Sequence, residues 1–280
     1  ANHRIYQYTS IGRPLDPSYP SNKAVLLLMP LAAVLGAVDG WAEGGSAMDI
    51  LGKAVGFVLI LFGSWALARE LDPDDNPAAF ISVVLAMLAA FLFDNAGILI
   101  VFSTLMLVRV VNRSTGLECR PVDSVLVTGL AIWTMYATAT PFYGAIAGLA
   151  FLLDGSLRDP LRRHWIFGLV CVASSAVYMV DHDFSFAGLS PPDTLFEWLS
   201  ILFLLIFALN ALLLKNVHTQ GDMDRRRLDV NRVRGGMAVG FLAALTAAGR
   251  PEVVVIIVAV IAGLVVGMAC RKGFKTPVGS

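Results

Sequence analysis

The sequence predicts an all-α integral membrane protein, a polytopic bundle of about ten transmembrane helices (range about 8–10) with several short tight hairpins. Three observations carry that prediction. First, 57% of the 280 residues are hydrophobic and 15% are charged, with a mean hydropathy of +0.72. A water-soluble domain cannot bury that much apolar surface, so the bilayer is the expected solvent. Second, apolar runs approaching the ~17–25 residues needed to cross a ~30 Å hydrocarbon core recur along the chain. Third, if those runs alternate in direction, 19 of the 21 Lys and Arg residues share one side, and only Lys53 and Arg250 fall opposite. The positive-inside rule makes that side cytoplasmic and places both termini there. Twelve acids share it and nine lie opposite, so the zero formal net charge conceals two opposed faces.

Residues 1–23 are polar, with Pro14, Pro17 and Pro20, and lack the apolar core of a secretory leader. They read as a cytoplasmic tail, followed by one membrane domain over 24–270 and a second tail over 271–280. Spans are expected at 24–42, 48–69, 78–93, 96–111, 123–138, 142–154, 164–181, 195–215, 236–249 and 252–270. The decisive stretch is 78–111, where Asp94, Asn95 and Arg109 interrupt an apolar run. As one helix it would be about 50 Å long, too long even when tilted. Asp94-Asn95-Ala96-Gly97 supplies turn-forming residues, so two helices of about 16 residues are expected instead. This break also keeps every later basic loop on the side of the basic N-terminal tail. Similar turns are expected at Thr140-Pro141-Phe142-Tyr143 and Gly249-Arg250-Pro251-Glu252. The short helices beside them either cross a locally thinned bilayer or return part-way, and crossing is the commoner arrangement.

Glycines four apart recur in the spans: Gly36/Gly40, Gly52/Gly56, Gly144/Gly148, Gly236/Gly240 and Gly263/Gly267. Small residues at this spacing let helix backbones approach closely in lipid. A compact bundle is the main expectation. Contact with a second copy or a partner protein through such a face is the other, with 252–270 the leading face. Trp41 and Trp198 fall near the outer boundary and Trp165 near the inner one, as interfacial anchors should. No internal repeat relates 1–138 to 139–280, because the turn at 94–95 would have to match the basic loop 216–235.

Candidate site residues fall into two groups. Asp94, Asn95, Arg250 and Asn210 are the polar groups best placed to line a pocket, with Asp94 and Arg250 as a possible pair across two hairpin tips. Arg109, Arg113, Arg158, Arg162 and Arg163 are expected to meet anionic headgroups or a phosphate, since guanidinium forks match its oxygens. Arg225, Arg226 and Arg227, with Arg232 and Arg234 behind them, form a basic belt against anionic lipid. The segment ARELDPDDNPAAF clusters Glu70, Asp72, Asp74 and Asp75. It reads as a helix end and a turn, with Asp75 or Asn76 capping the next helix and Pro77 in its first turn, rather than as a Mg²⁺ site. Asp181-His182-Asp183 reads as a solvated loop, and the three scattered cysteines give neither a disulfide framework nor a metal site. No cofactor, metal or nucleic acid is expected.

No charged residue is expected at the middle of a span, which argues against strong ion coupling. Three functions fit the pattern. The leading one is a permease or channel-like transporter of a small or amphiphilic solute, in the inner membrane of a bacterium. The others are a structural subunit or assembly factor of a membrane complex, and a membrane enzyme acting on a lipid phosphate at the basic face.

Overall fold

The computed structural model describes residues 5–93, 97–183, 192–246 and 251–274. Among them lie ten α-helices and no strand: α1 (Pro20–Ala42), α2 (Ala47–Leu71), α3 (Asn76–Leu92), α4 (Ile98–Asn112), α5 (Pro121–Thr138), α6 (Phe142–Asp154), α7 (His164–Asp181), α8 (Leu195–Leu213), α9 (Val230–Leu245) and α10 (Pro251–Phe274). The run 78–111 is therefore two helices, as the length argument required. Its turn residues Asp94 and Asn95, and Arg250 of the other hairpin tip, lie outside the described residues.

Local chemistry starts these helices where side chains can satisfy the free N–H groups of a first turn. Ser46 and Asp49 form a reciprocal capping box on α2, and Thr194 and Glu197 form another on α8. Asp75 accepts from Ala78 N at the start of α3, with Pro77 in the first turn, so Asp75 takes the expected capping role. Asp229 caps α9 through Asn231 N and Arg232 N. That cap starts α9 at Val230, six residues before the expected 236, and turns Arg232 and Arg234 from loop residues into helical ones.

Side-chain contacts fix the helix directions. Asn22 of α1 meets Arg69 of α2, and Glu70 of α2 meets Arg109 of α4. Ser124 of α5 meets His164 of α7, and Asp154 of α6 meets Arg232 of α9. Arg234 of α9 reaches Leu214 O after α8, and Arg271 of α10 reaches Asp75 before α3. The starts of the odd-numbered helices and the ends of the even-numbered ones thus gather at one end of the bundle, and the described basic residues other than Lys53 gather with them. The strap 5–19 lies across this end. Ser10 N and Ser10 Oγ donate to Asp123 at 2.7 and 2.6 Å, and Arg120 Nη2 donates to Tyr6 O at 2.7 Å.

Close packing uses the small residues internally. A Cβ placed on Gly263 would collide with Ser82 Cα, and one on Gly267 with Ala78 Cβ, so α10 rides directly on α3. Ser82 Oγ, which donates to Val260 O at 2.8 Å, ties the same pair together. The glycine face of 252–270 is therefore covered by α3 of the same chain, in line with the compact bundle, because a glycine stripe fits the nearest backbone available. Gly36 and Gly144 press in the same way on α2 and α7.

Apolar rows remain outside. On α8, Leu195, Leu199, Leu202, Leu205, Leu209 and Leu212 are exposed at three- and four-residue spacing, and α1 shows Leu27, Leu31, Val34 and Val38. Such stripes suit hydrocarbon and would be a liability in water. By length and composition α1, α2, α7 and α8 are long and apolar enough to cross a membrane, while α3, α4, α6 and Val255–Arg271 are shorter apolar helices. The bundle is compatible with a helical membrane protein.

Candidate functional site

The basic end contains two buried charge clusters, centred on residues at helix ends, and a cavity. In the first cluster Glu70, 2% exposed, closes the last turn of α2. Its Oε1 accepts from Arg109 Nε at 3.0 Å, Arg13 Nη1 at 3.2 Å and Ser114 Oγ at 3.0 Å. Arg13 also forks onto Asp222 with two bonds of 2.7 Å, and Tyr6 OH donates to Asp222 at 3.2 Å. Burial and Asp222 push the Tyr6 phenol up to about 12, so it stays a donor. The strap, α2, α4 and the loop carrying Asp222 are thereby locked into one unit, since buried charges require paired partners.

The second cluster centres on Asp154, the last residue of α6, with no exposed side-chain surface. Arg113 grips it with bonds of 2.7 and 3.0 Å, Arg232 Nη1 donates to Oδ1 at 2.7 Å, and His164 Nδ1 lies 2.7 Å from Oδ2. Beyond the imidazole, His164 Nε2 is 2.8 Å from Ser124 Oγ. Carboxylate, imidazole and hydroxyl in that order match the connectivity of a serine-hydrolase triad. The geometry here is structural. Asp154, His164 and Ser124 are all fully buried, and Ser124 Oγ also donates to Arg120 O at 3.1 Å and touches Cys119 Sγ at 3.5 Å. A nucleophile needs room for a reacting carbonyl beside it, and packing fills that space.

Between the strap, the first turn of α1, α2, α4 and the loop 219–225 lies a cavity of about 670 Å³, the size of an ordinary small-ligand pocket. One stripe of α2 forms its back wall: Phe62, Trp65, Ala66, Arg69 and Glu70. Phe62 sits about 10 Å along the helix from Arg69, so the wall runs from cationic to apolar. Four arginines, Arg13, Arg69, Arg109 and Arg225, line the space against three carboxylates, Asp16, Glu70 and Asp222.

The expected site residues are distributed differently. The cavity brings together Arg109 and Arg225 only. Arg109 and Arg113, expected to face lipid phosphate, instead turn inward onto Glu70 and Asp154, because each ends a helix beside a buried carboxylate. Arg163 donates to Cys119 O, while Arg158, Arg162, Arg226 and Arg227 stay exposed. Asn210, expected in a pocket, returns its amide to Ile206 O at 2.8 Å on its own helix. The residues that sequence reasoning missed are Arg13, Arg69, Glu70 and Asp222 as partners. The available signal was ALAREL at the end of α2, an acid and a base beside an apolar helix, which demands partners from elsewhere.

The acid cluster of ARELDPDD is split among four tasks. Glu70 holds arginines, and Asp74 accepts from His218 N, Thr219 N and Thr219 Oγ1. Asp75 caps α3, and Asp72 lies 3.9 Å from Arg271. Burial, with help from Asp75 and Asp74, pushes the Asp72 carboxyl up to about 6 against the pull of Arg271. A raised carboxyl favours the protonated folded state, so its contribution is full below about pH 4 and is lost as pH rises through 6. A shift of this size corresponds to roughly 3 kcal/mol at most. Thermal unfolding in detergent should therefore show a loss of stability between about pH 4 and 6 that Asp72→Asn removes; an unchanged pH slope in that variant would clear Asp72 of the role.

Fold and cavity together define a class: an all-helical, membrane-compatible bundle with a cation-lined cavity at its basic end. Comparison with protein families, curated proteins and solved structures finds no match to this chain. The chemistry of the cavity is the remaining guide to function.

Proposed function

We propose that this chain is a multi-pass inner-membrane permease for a small or amphiphilic solute, working without strong ion coupling, with the cavity as its cytoplasmic-side solute site. One observation carries the reading: a cavity whose back wall grades from Arg69 to Phe62 along a single helix. In this reading all ten helices cross the bilayer and the basic end faces the cytoplasm, as the positive-inside rule requires. Shorter helices such as α6 cross where the bilayer thins. The buried charges support the absence of ion coupling, because Glu70, Arg109, Asp154 and Arg232 sit in end turns, not at mid-span. Enzymatic attack on a lipid phosphate is less favoured, since Arg109 and Arg113 already hold carboxylates.

Two experiments test the proposal. Purified protein in liposomes should accelerate the equilibration of an amphiphilic solute across the bilayer, and permeation no faster than in protein-free liposomes would reject it. For topology, a cysteine replacing the exposed Ala47 should react with an impermeant thiol reagent in intact cells, and one replacing Arg226 should react only after lysis. The reverse pattern would invert the assignment. Native Cys119 makes a poor reporter: it is 2% exposed, and burial pushes its thiol up to about 11, leaving little thiolate to react.

A further inference from the structure

We infer that the cavity takes a monoanionic amphiphile, with Arg69 receiving the anionic head and the Trp65–Phe62 wall receiving the start of one apolar chain. The inference rests on the permease reading and deepens it by naming the class of solute.

Charge pairing points to Arg69. Arg13 and Arg109 are satisfied by Glu70 and Asp222. Arg69 lines the same space, yet none of the carboxylates among the described residues pairs with it. Its Nη1 makes only long contacts to neutral acceptors, Asn22 Oδ1 at 3.3 Å and Ser21 Oγ at 3.5 Å. Its Nε is buried without a partner. A partly buried guanidinium with free donors is matched by a carboxylate or a phosphodiester, which offers two oxygens to a fork. Four arginines against three carboxylates leave the lining one positive charge in excess, and one negative charge on the ligand balances it.

The wall below Arg69 supplies the second half of the recognition. Its guanidinium carbon stands 5.2 Å from the Trp65 ring centroid, within cation–π range, which holds the head group's partner in place. Phe62 lies 6.2 Å from the Trp65 ring and 6.2 Å from Phe102, continuing an aromatic surface down α2. An apolar chain on that surface leaves water at no polar cost. A bare anion would leave the wall uncovered, and a zwitterionic head would bring a second cation beside Arg69.

The test uses the full chain in a neutral detergent and three probes read by native mass spectrometry: oleoyl lysophosphatidylglycerol, oleoyl lysophosphatidylcholine and glycerol 3-phosphate. The first should bind at least about tenfold more tightly than the second, and the third should not compete. Arg69→Gln should abolish the preference, whereas Arg226→Gln, exposed and outside the lining, should leave it in place. Equal binding of the two lysolipids overturns the inference, as does a preference that survives Arg69→Gln. Competition by glycerol 3-phosphate at equal strength makes a free phosphate the ligand and also overturns it. Should Arg69→Gln fail to fold, the three-probe comparison on the unaltered protein still decides. Failure of the permease reading looks different: the anionic lysolipid binds with the stated preference but is not carried across liposomes.

Discussion

Replacing Asp154 with Asn should lower the stability of the detergent-solubilised protein by about 3–5 kcal/mol, the usual consequence of removing one partner from a buried charge cluster. The substitution keeps shape and removes charge. Arg113 and Arg232, 10% and 6% exposed, would then sit in the bundle without their counter-ion, and His164 Nδ1 would no longer have a carboxylate oxygen 2.7 Å away. Asp159→Asn is the control: that carboxylate is 75% exposed and 3.8 Å from Arg158, and such a surface pair contributes about 0–1 kcal/mol. Thermal unfolding of both variants gives the comparison. Equal midpoints would mean that Asp154 does not hold the helix ends together.

Gly263→Leu should be nearly as damaging, costing about 3 kcal/mol or more through overpacking. A side chain there has no direction to go, because its first carbon already overlaps Ser82 Cα of α3. Moving α10 away would also break the bond from Ser82 Oγ to Val260 O. Gly52→Leu provides the contrast, since a Cβ on Gly52 meets nothing within 4 Å. Its expected effect is neutral or slightly stabilising, as glycine is a poor helix former by about 1 kcal/mol. The readout is the fraction remaining monodisperse after heating in detergent. Matching losses at the two positions would show that α10 does not press on α3 through its glycines.

Most helices were legible because each depends on local information. Apolar run length, the Ser46 and Thr194 caps, Asp75 with Pro77, and the impossible length of 78–111 are all readable within a few residues of one another. The start of α9 was misread because its first two turns carry Arg232 and Arg234, and a run of charge resembles a loop until a buried partner is known. Asp154 is that partner, 78 residues away in sequence. The cavity was equally hidden. Its residues come from the strap, α1, α2, α4 and the loop at 219–225, and nothing in any one segment marks it as lining a shared space.

The sequence alone determined the kind of molecule: helices, their number, the turns between most of them and the segregation of charge to one end. These follow from hydropathy, caps and chain length, which act over one helix at a time. Only the tertiary structure decided which arginines are spent and which is free. Pairing of charge depends on distance across the bundle, so Arg109 and Arg113 are neutralised by carboxylates from other helices, while Arg69, next in the chain to Glu70, faces the cavity without one.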